Sequence, residues 1–165
     1  MSKRMYTQIT SSSDASGLRI GLALSQYHDE ITSKLRDGAI QQFFDQGGKE
    51  ENLVLVPAPG AFELIATCKA FAQRDSIDAA VALACVITGE TPHDQYINQA
   101  IVHGISTIIC DSGMPIGFGV LTCLNLEQAH ARAGGEVGNK GAEAMAAAIE
   151  MANTIRALRE SEGGE

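Results

Sequence analysis

Apolar and polar positions alternate along the chain with two different periods, and the switches between them delimit the elements. Residues 18–24 read LRIGLAL, a short apolar run behind the polar stretch 10–17, which predicts a first strand after a flexible leader. From Ile31 the period lengthens. Ile31, Leu35, Ala39, Ile40, Phe43 and Phe44 recur three and four residues apart until Gly47-Gly48, which predicts a helix. Residues 53–56 predict a second strand that ends in the turn Pro57-Ala58-Pro59-Gly60, and residues 62–73 a second helix. The unbroken apolar run 79–87 has the length of a strand buried on both faces. Beyond it the pattern predicts a helix over 93–109, a strand over 116–121, a short helix over 126–132 and a long Ala-rich helix over 141–159.

The resulting order, β-α-β-α-β-α-β-α-α, predicts an α/β fold with a parallel sheet, right-handed crossovers and helices on both faces. With strand order 2-1-3-4 the order of strands reverses between strands 1 and 3. The loops 25–28 and 88–93 would then border the ligand crevice at the carboxyl ends. At 165 residues the chain has the length of one domain. We assign residues 1–16 to a flexible leader, 17–159 to a single domain and 160–165 to a flexible tail. The last helix carries Met145, Ala148, Ile149, Ala152 and Ile155 on one stripe, yet Ala142, Ala144, Ala146, Ala147 and Met151 make its other faces apolar too. A helix apolar nearly all round needs cover on more than one side, which points to a neighbouring subunit; the competing reading is plain helix propensity of alanine.

Charge narrows the partners. The chain has 12 Lys plus Arg against 20 Asp plus Glu, a formal charge of -8, and this disfavours a surface that neutralises nucleic-acid phosphates. An anionic small substrate would need a local cationic pocket. The four cysteines, Cys68, Cys85, Cys110 and Cys123, are widely spaced in apolar runs without a C-x-x-C, and read as buried thiols in a reducing compartment. No signal-peptide core is seen, and no run reaches the ~18 uninterrupted apolar residues of a membrane-spanning helix. The expectation is a cytoplasmic protein with no membrane or nucleic-acid partner. His28, His103 and His130 show no spacing that suggests a metal.

Several short motifs carry chemistry. Gly89-Glu90-Thr91-Pro92-His93 follows the third strand; Thr91 suits the N-cap of the next helix and Pro92 its first position, so the first-turn amides would face the crevice as an anion cradle. A well-capped helix alone explains the same residues. His93 adds a group that exchanges protons near neutral pH. Arg132 and Lys140 flank the Gly-rich stretch 133–141, where a guanidinium can grip phosphate and an ammonium add a point charge. That stretch is not a P-loop, since Gly141 stands where Ser or Thr is required and it joins two helices. Gly117-Phe118-Gly119 is not a dinucleotide fingerprint either, and suggests close backbone approach within a strand. In Pro59-Gly60-Ala61-Phe62-Glu63 a ring and a carboxylate follow a strand end, suited to stacking on and hydrogen-bonding a flat heterocycle, or to core packing and a first-turn helix charge. Tyr27 invites the same two readings.

Taken in order, PGAFE, TGETPH, GFGVLT, QAHARAG and GNKG resemble the 6,7-dimethyl-8-ribityllumazine synthase family over residues 18–158. The resemblance implies a flavodoxin-like three-layer sandwich that assembles into pentamers or multiples of them, a sixty-subunit shell included, with sites at subunit interfaces. It implies condensation of 5-amino-6-(D-ribitylamino)uracil with 3,4-dihydroxy-2-butanone 4-phosphate, without metal or organic cofactor. By the same resemblance Tyr27, Ala61, Phe62, Glu63, Cys85, Val86 and Ile87 hold the pyrimidine, and Phe118 of an adjacent subunit closes its slot. Glu90, Thr91, Arg132 and Lys140 would surround the phosphate, and His93 matches the catalytic histidine. The chain departs from the family pattern at Thr88 (often basic), Asp94 (often aromatic), Ile65 (often proline) and Gln26-Tyr27-His28 (often Arg-Phe-Asn). Asp94 adds negative charge beside the histidine and near an anionic substrate, which is expected to raise the histidine's pKa and weaken phosphate binding. The competing functions are a weakly catalytic relative that binds a pterin or flavin or serves assembly, and a synthase that consumes the lumazine.

Overall fold

In the computed structural model, which describes residues 6–162, the unbroken apolar run becomes the inner strand of a four-stranded parallel sheet. The strands β1 (Ile20–Ser25), β2 (Leu53–Ala58), β3 (Ala79–Ile87) and β4 (Ile116–Cys123) stand in the order β2-β1-β3-β4, as the sequence predicts. Register runs from Ile20 opposite Leu53 and Ala79, and from Ala80 opposite Ile116. The helices are α1 (Asp29–Asp45), α2 (Leu64–Ala72), α3 (His93–Ser112), α4 (Leu126–Arg132) and α5 (Lys140–Glu162).

Alternation along β3 divides the core in two. Val81, Leu83 and Cys85 face the layer of α1 and α5 with Leu22, Leu35, Phe43, Met145 and Ile149. Ala80, Ala82 and Ala84 face the layer of α2 and α3 with Leu64, Phe71, Ile101 and Ile105. The second face of β3 carries alanine methyl groups up to Val86 near its end, so bulk comes from the helices: the Phe71 ring lies 2.7 Å from where a Cβ on Gly21 would stand. The glycines of β4 allow close approach of α5, since a Cβ on Gly117 would run into the carbonyl oxygen of Ala144. This is the role that the Gly117-Phe118-Gly119 pattern suggested.

Four features differ from expectation. Strand β2 continues through Pro57, opposite Leu24, which is tolerated because β2 is an edge strand. The stretch 11–16, assigned to a flexible leader, is held: Ser11 Oγ donates to Glu150 Oε1 at 2.8 Å, Asn153 Nδ2 donates to the carbonyls of Ser12 and Asp14, and buried Ala15 donates its N–H to Gln46 O. The Ser16 backbone N–H and then its hydroxyl hold the Asp14 carboxyl below its ordinary value of 3.8. Residues 160–162 of the assigned tail belong to α5, and residues 1–5 and 163–165 lie outside the described residues. The Gly-rich stretch forms an antiparallel hairpin, β5 (Ala133–Gly135) with β6 (Gly138–Asn139), using positive φ at Gly134 (105°) and Gly138 (87°). Asn139 then fastens the start of α5: its Oδ1 accepts from the N–H groups of Gly141 and Ala142, and its Nδ2 donates to Lys34 O.

Of the cysteines, Cys68, Cys85 and Cys123 are buried thiols, but Cys110 on α3 is exposed. Burial pushes Cys68 from its ordinary 9.0 to about 12, and burial with a smaller contribution from Cys123 does the same to Cys85. The unfolded chain loses those protons at lower pH than the native one, so this part of stability is complete below about 9 and is lost as pH rises towards about 12. We expect the unfolding free energy from urea titrations to fall with pH between about 9 and 11, with a slope up to about 1.4 kcal/mol per pH unit for Cys68 and a smaller one for Cys85. Substituting both cysteines with alanine should flatten that slope, although it lowers the midpoint at every pH.

Candidate active site

The carboxyl ends of β1, β2 and β3 open onto a cleft of about 710 Å3. It lies at the strand reversal, where such sheets bind ligands. The connection after β1 contributes Tyr27 and His28, that after β2 contributes Gly60 to Glu63, and the end of β3 contributes Cys85, Val86 and Ile87. Thr88, Gly89, Thr91, His93, Asp94 and Ile97 complete the lining.

Tyr27 is 66% exposed, and its ring meets that of His28 edge to face, centroids 4.6 Å apart at 73°. His28 sits at φ 57°, ψ 50°, the one positive-φ residue other than glycine among the described residues. Such backbone costs roughly 1–3 kcal/mol and tends to persist where a site requires it. Here it turns the chain sharply from β1 into α1 and leaves both rings on the cleft wall. Phe62, on the same lining, is 52% exposed. It stays in the turn because α2 begins at Leu64, two residues later than the periodicity predicts. The Glu63 carboxylate lies over Gly60, where a Cβ would come within 2.9 Å of Oε2. Exposed rings and a carboxylate with free lone pairs suit a flat, hydrogen-bonding ligand. Cys85, held as a neutral thiol by burial, offers no nucleophile.

At the other end, α3 starts at His93. Pro92 occupies the N-cap position with φ -73° and ψ 16°, and no side chain caps the helix, so the predicted N-cap role of Thr91 is not adopted. Thr91 and His93 are exposed on the lining, and the imidazole makes no hydrogen bond among the described residues.

Four of the sequence-predicted residues do not line this cleft. Glu90 lies in the turn between two lining residues. Phe118 is 43% exposed on β4. Arg132 donates from Nη1 to Gln128 O at 3.1 Å, and its charge moderates the upward push that burial exerts on the Cys123 thiol. Lys140 pairs with Glu143 at 2.7 Å. Among the described residues no Lys or Arg lines the cleft, and its carboxylates are Glu63 and Asp94. One chain therefore builds the aromatic side of a site but not the cationic side. Conversely, His28, Thr88 and Ile97 line it without having been singled out as binding residues, and Asp94 was noted only for its charge. The readable signal was the spacing of His93 and Ile97, which an α-helix turns to one face. A second cleft, of about 480 Å3, holds Arg74, Arg156 and Arg159 together with Asp75, Asp78 and Glu160 near the start of β3. Its charges are balanced, and Arg156 is paired with Asp78 at 3.2 Å.

The sequence model of the 6,7-dimethyl-8-ribityllumazine synthase family matches residues 17–156. The chain belongs to this family. A 6,7-dimethyl-8-ribityllumazine synthase of Thermus thermophilus is 40% identical over 144 residues, covering 87% of this chain and 92% of that protein. The match spans the whole sheet, α1 to α4, the hairpin and most of α5, so it includes every element that borders the cleft. In lumazine synthase terms, the aromatic lining and His93 share one chain's cleft, whereas Phe118, Arg132 and Lys140 stand apart from it.

Proposed function

We propose that this member of the family is a transferase of riboflavin biosynthesis that condenses 5-amino-6-(D-ribitylamino)uracil with 3,4-dihydroxy-2-butanone 4-phosphate. The products are 6,7-dimethyl-8-ribityllumazine, phosphate and two molecules of water, one lost on imine formation and one on ring closure. The observation that carries the reading is the cleft that gathers Tyr27, Phe62, Glu63 and His93 around the end of β3. Tyr27 and Phe62 stack on the pyrimidine, Ala61 and Glu63 meet its polar edge and ribityl chain, and the main chain of Cys85, Val86 and Ile87 reads its remaining edge. Amine attack on the ketone gives a carbinolamine and then an imine; phosphate elimination and ring closure follow. His93 moves the protons, and holding both reactants together supplies much of the rate. Metal and organic cofactor have no part in the scheme.

We infer that a second copy of the chain supplies the missing side. Its Phe118 closes the aromatic slot, its Arg132 clamps the phosphate, and Lys140 adds charge near Glu90 and Thr91. Supporting this, the three residues stand outside their own chain's cleft and Phe118 is exposed. Exposed Ala147 and Met151 on α5 fit the same assembly, a pentamer or a multiple of it, in the cytoplasm.

Purified protein should convert the two substrates with equal rates of lumazine absorbance and phosphate release. Tight pyrimidine binding with no product above background would favour a ligand-binding or assembly relative. Arg132→Ala should raise KM for the butanone phosphate about 10- to 100-fold, the range of a lost charge-assisted hydrogen bond, and leave the pyrimidine KM nearly unchanged. Equal effects on both would count against the clamp. Co-expressed H93A and R132A chains should regain activity well above that of either alone when the butanone phosphate is below the raised KM, with about a quarter of sites intact by random pairing.

A further inference from the structure

Thr88 is the first residue beyond β3, and its backbone N–H donates to Cys123 O at 2.9 Å, which fixes it to the end of β4. Its hydroxyl donates to Asp94 Oδ2 at 3.1 Å. Asp94 is the second residue of α3 and borders the cleft beside His93. Between these two residues the chain is loosely held. Residues 89–91 are exposed and make no hydrogen bond among the described residues, and a Cβ on Gly89 would have nothing within 4 Å. The start of α3 has no side-chain cap. Thus Thr88 Oγ1 to Asp94 Oδ2 is the one side-chain tie, among the described residues, that closes the turn carrying His93.

The second oxygen of Asp94 sharpens the point. Asp94 Oδ1 is buried and has no partner. Leaving a carboxylate oxygen desolvated and unpaired is unfavourable. A residue placed there only to complement the helix N-terminus would do so equally well from an exposed, hydrated position. The cost is understandable where the other oxygen has a positional task.

We propose that Thr88 and Asp94 form a latch that sets the position of His93 and of the turn 89–92 relative to the end of β3. The pair does not touch the reacting atoms; both are positioning residues. The proposal rests on the reading of His93 as proton carrier, and deepens it. With the latch closed, the helix starts in one orientation and residues 93 and 97 both face the cleft. With it open, the turn is free to move while the sheet end that holds the pyrimidine stays in place. Misplacement of a reacting group by about 1 Å can cost up to 100-fold in rate, so partial loosening should be felt in kcat more than in pyrimidine KM.

The test is a comparison of the full-length parent, T88V and T88S. Valine matches the shape of threonine without its hydroxyl; serine keeps the hydroxyl and loses the methyl. T88V should lower kcat about tenfold with the pyrimidine KM within about twofold, and T88S should remain within about twofold of the parent. Amide hydrogen exchange over residues 89–95 should quicken in T88V and not in T88S. If T88V does not assemble, D94L carries the same two expectations. Parent-like kcat and exchange in T88V would overturn the latch, and so would a T88S variant as slow as T88V, which would assign the effect to the methyl group. A parent without turnover would overturn the proposed reaction instead, and the exchange comparison would still decide whether the tie orders the turn.

Discussion

His93→Ala should lower kcat about 100-fold while the pyrimidine still binds within about twofold of the parent. The expectation follows from where the ring stands. His93 is exposed on the cleft lining and has no hydrogen-bond partner among the described residues. Its removal therefore leaves neither a cavity in the core nor an orphaned partner. What is lost is a group able to take and give protons through the carbinolamine, imine and ring-closure steps. General acid–base catalysis by one positioned side chain contributes about 10²–10⁴-fold. The lower end applies to an open cleft, where water replaces part of the function. Steady-state kinetics with both substrates, together with direct titration of the pyrimidine, separates the two quantities. Added imidazole should restore part of the rate, because the vacated space faces solvent. Unchanged turnover would remove His93 from the mechanism, and a large loss of pyrimidine affinity would recast it as a binding residue.

Gly141→Ala should destabilise the protein by about 3 kcal/mol, although alanine is the better helix former. Gly141 is the second residue of α5, where that helix crosses α1. A Cβ there would run into the backbone carbonyl of Leu35 and lie 2.9 Å from its Cα. Backbone atoms cannot rotate aside as a side-chain tip can, so the helices must part. The gap would open over Leu35, Ala39 and Met145, which are all fully buried. The helix propensity gained, up to about 1 kcal/mol, offsets only part of that loss. Gly17→Ala is the natural comparison, since nothing lies within 4 Å of its added Cβ, and it should shift stability by no more than about 0.5 kcal/mol. Urea midpoints at equal protein concentration measure both. A parent-like midpoint in Gly141→Ala would mean that α1 and α5 adjust without cost.

The elements that were legible in advance are those whose signal is local and periodic. The run 79–87 reads as a strand buried on both faces because each side of the sheet carries a helix layer, and β3 occupies those bounds. The helix over 126–132 is likewise found as predicted, with Asn125 capping it through Gln128 N–H. The β-α alternation limits a parallel sheet to few topologies, and the order β2-β1-β3-β4 is the one among them that the sequence reading adopts. Once that order is given, the loops after β1 and β3 must border one crevice. Tyr27 and His93, which stand in those two connections, accordingly line the same cleft.

Other features depend on partners far along the chain or on backbone that composition does not mark. Ser12 looked like part of a free leader, yet Asn153, 141 residues away, holds its carbonyl. Thr91 and Pro92 formed a plausible cap and first turn, but the helix begins one residue later and is tied through Thr88 and Asp94. His28 adopts a left-handed conformation that its residue type does not announce. Arg132 and Lys140 flanked what looked like one cationic loop, but folding turns that loop into a hairpin and leaves both side chains out of their own chain's cleft. Sequence alone determined the strands, their helices and which loops border the cleft, because burial periodicity and strand connectivity are carried by neighbouring residues. Tertiary structure alone decided which charged side chains line that cleft and which hydrogen bond closes the turn before α3, because those outcomes rest on single hydrogen bonds and approaches between segments that have no common period.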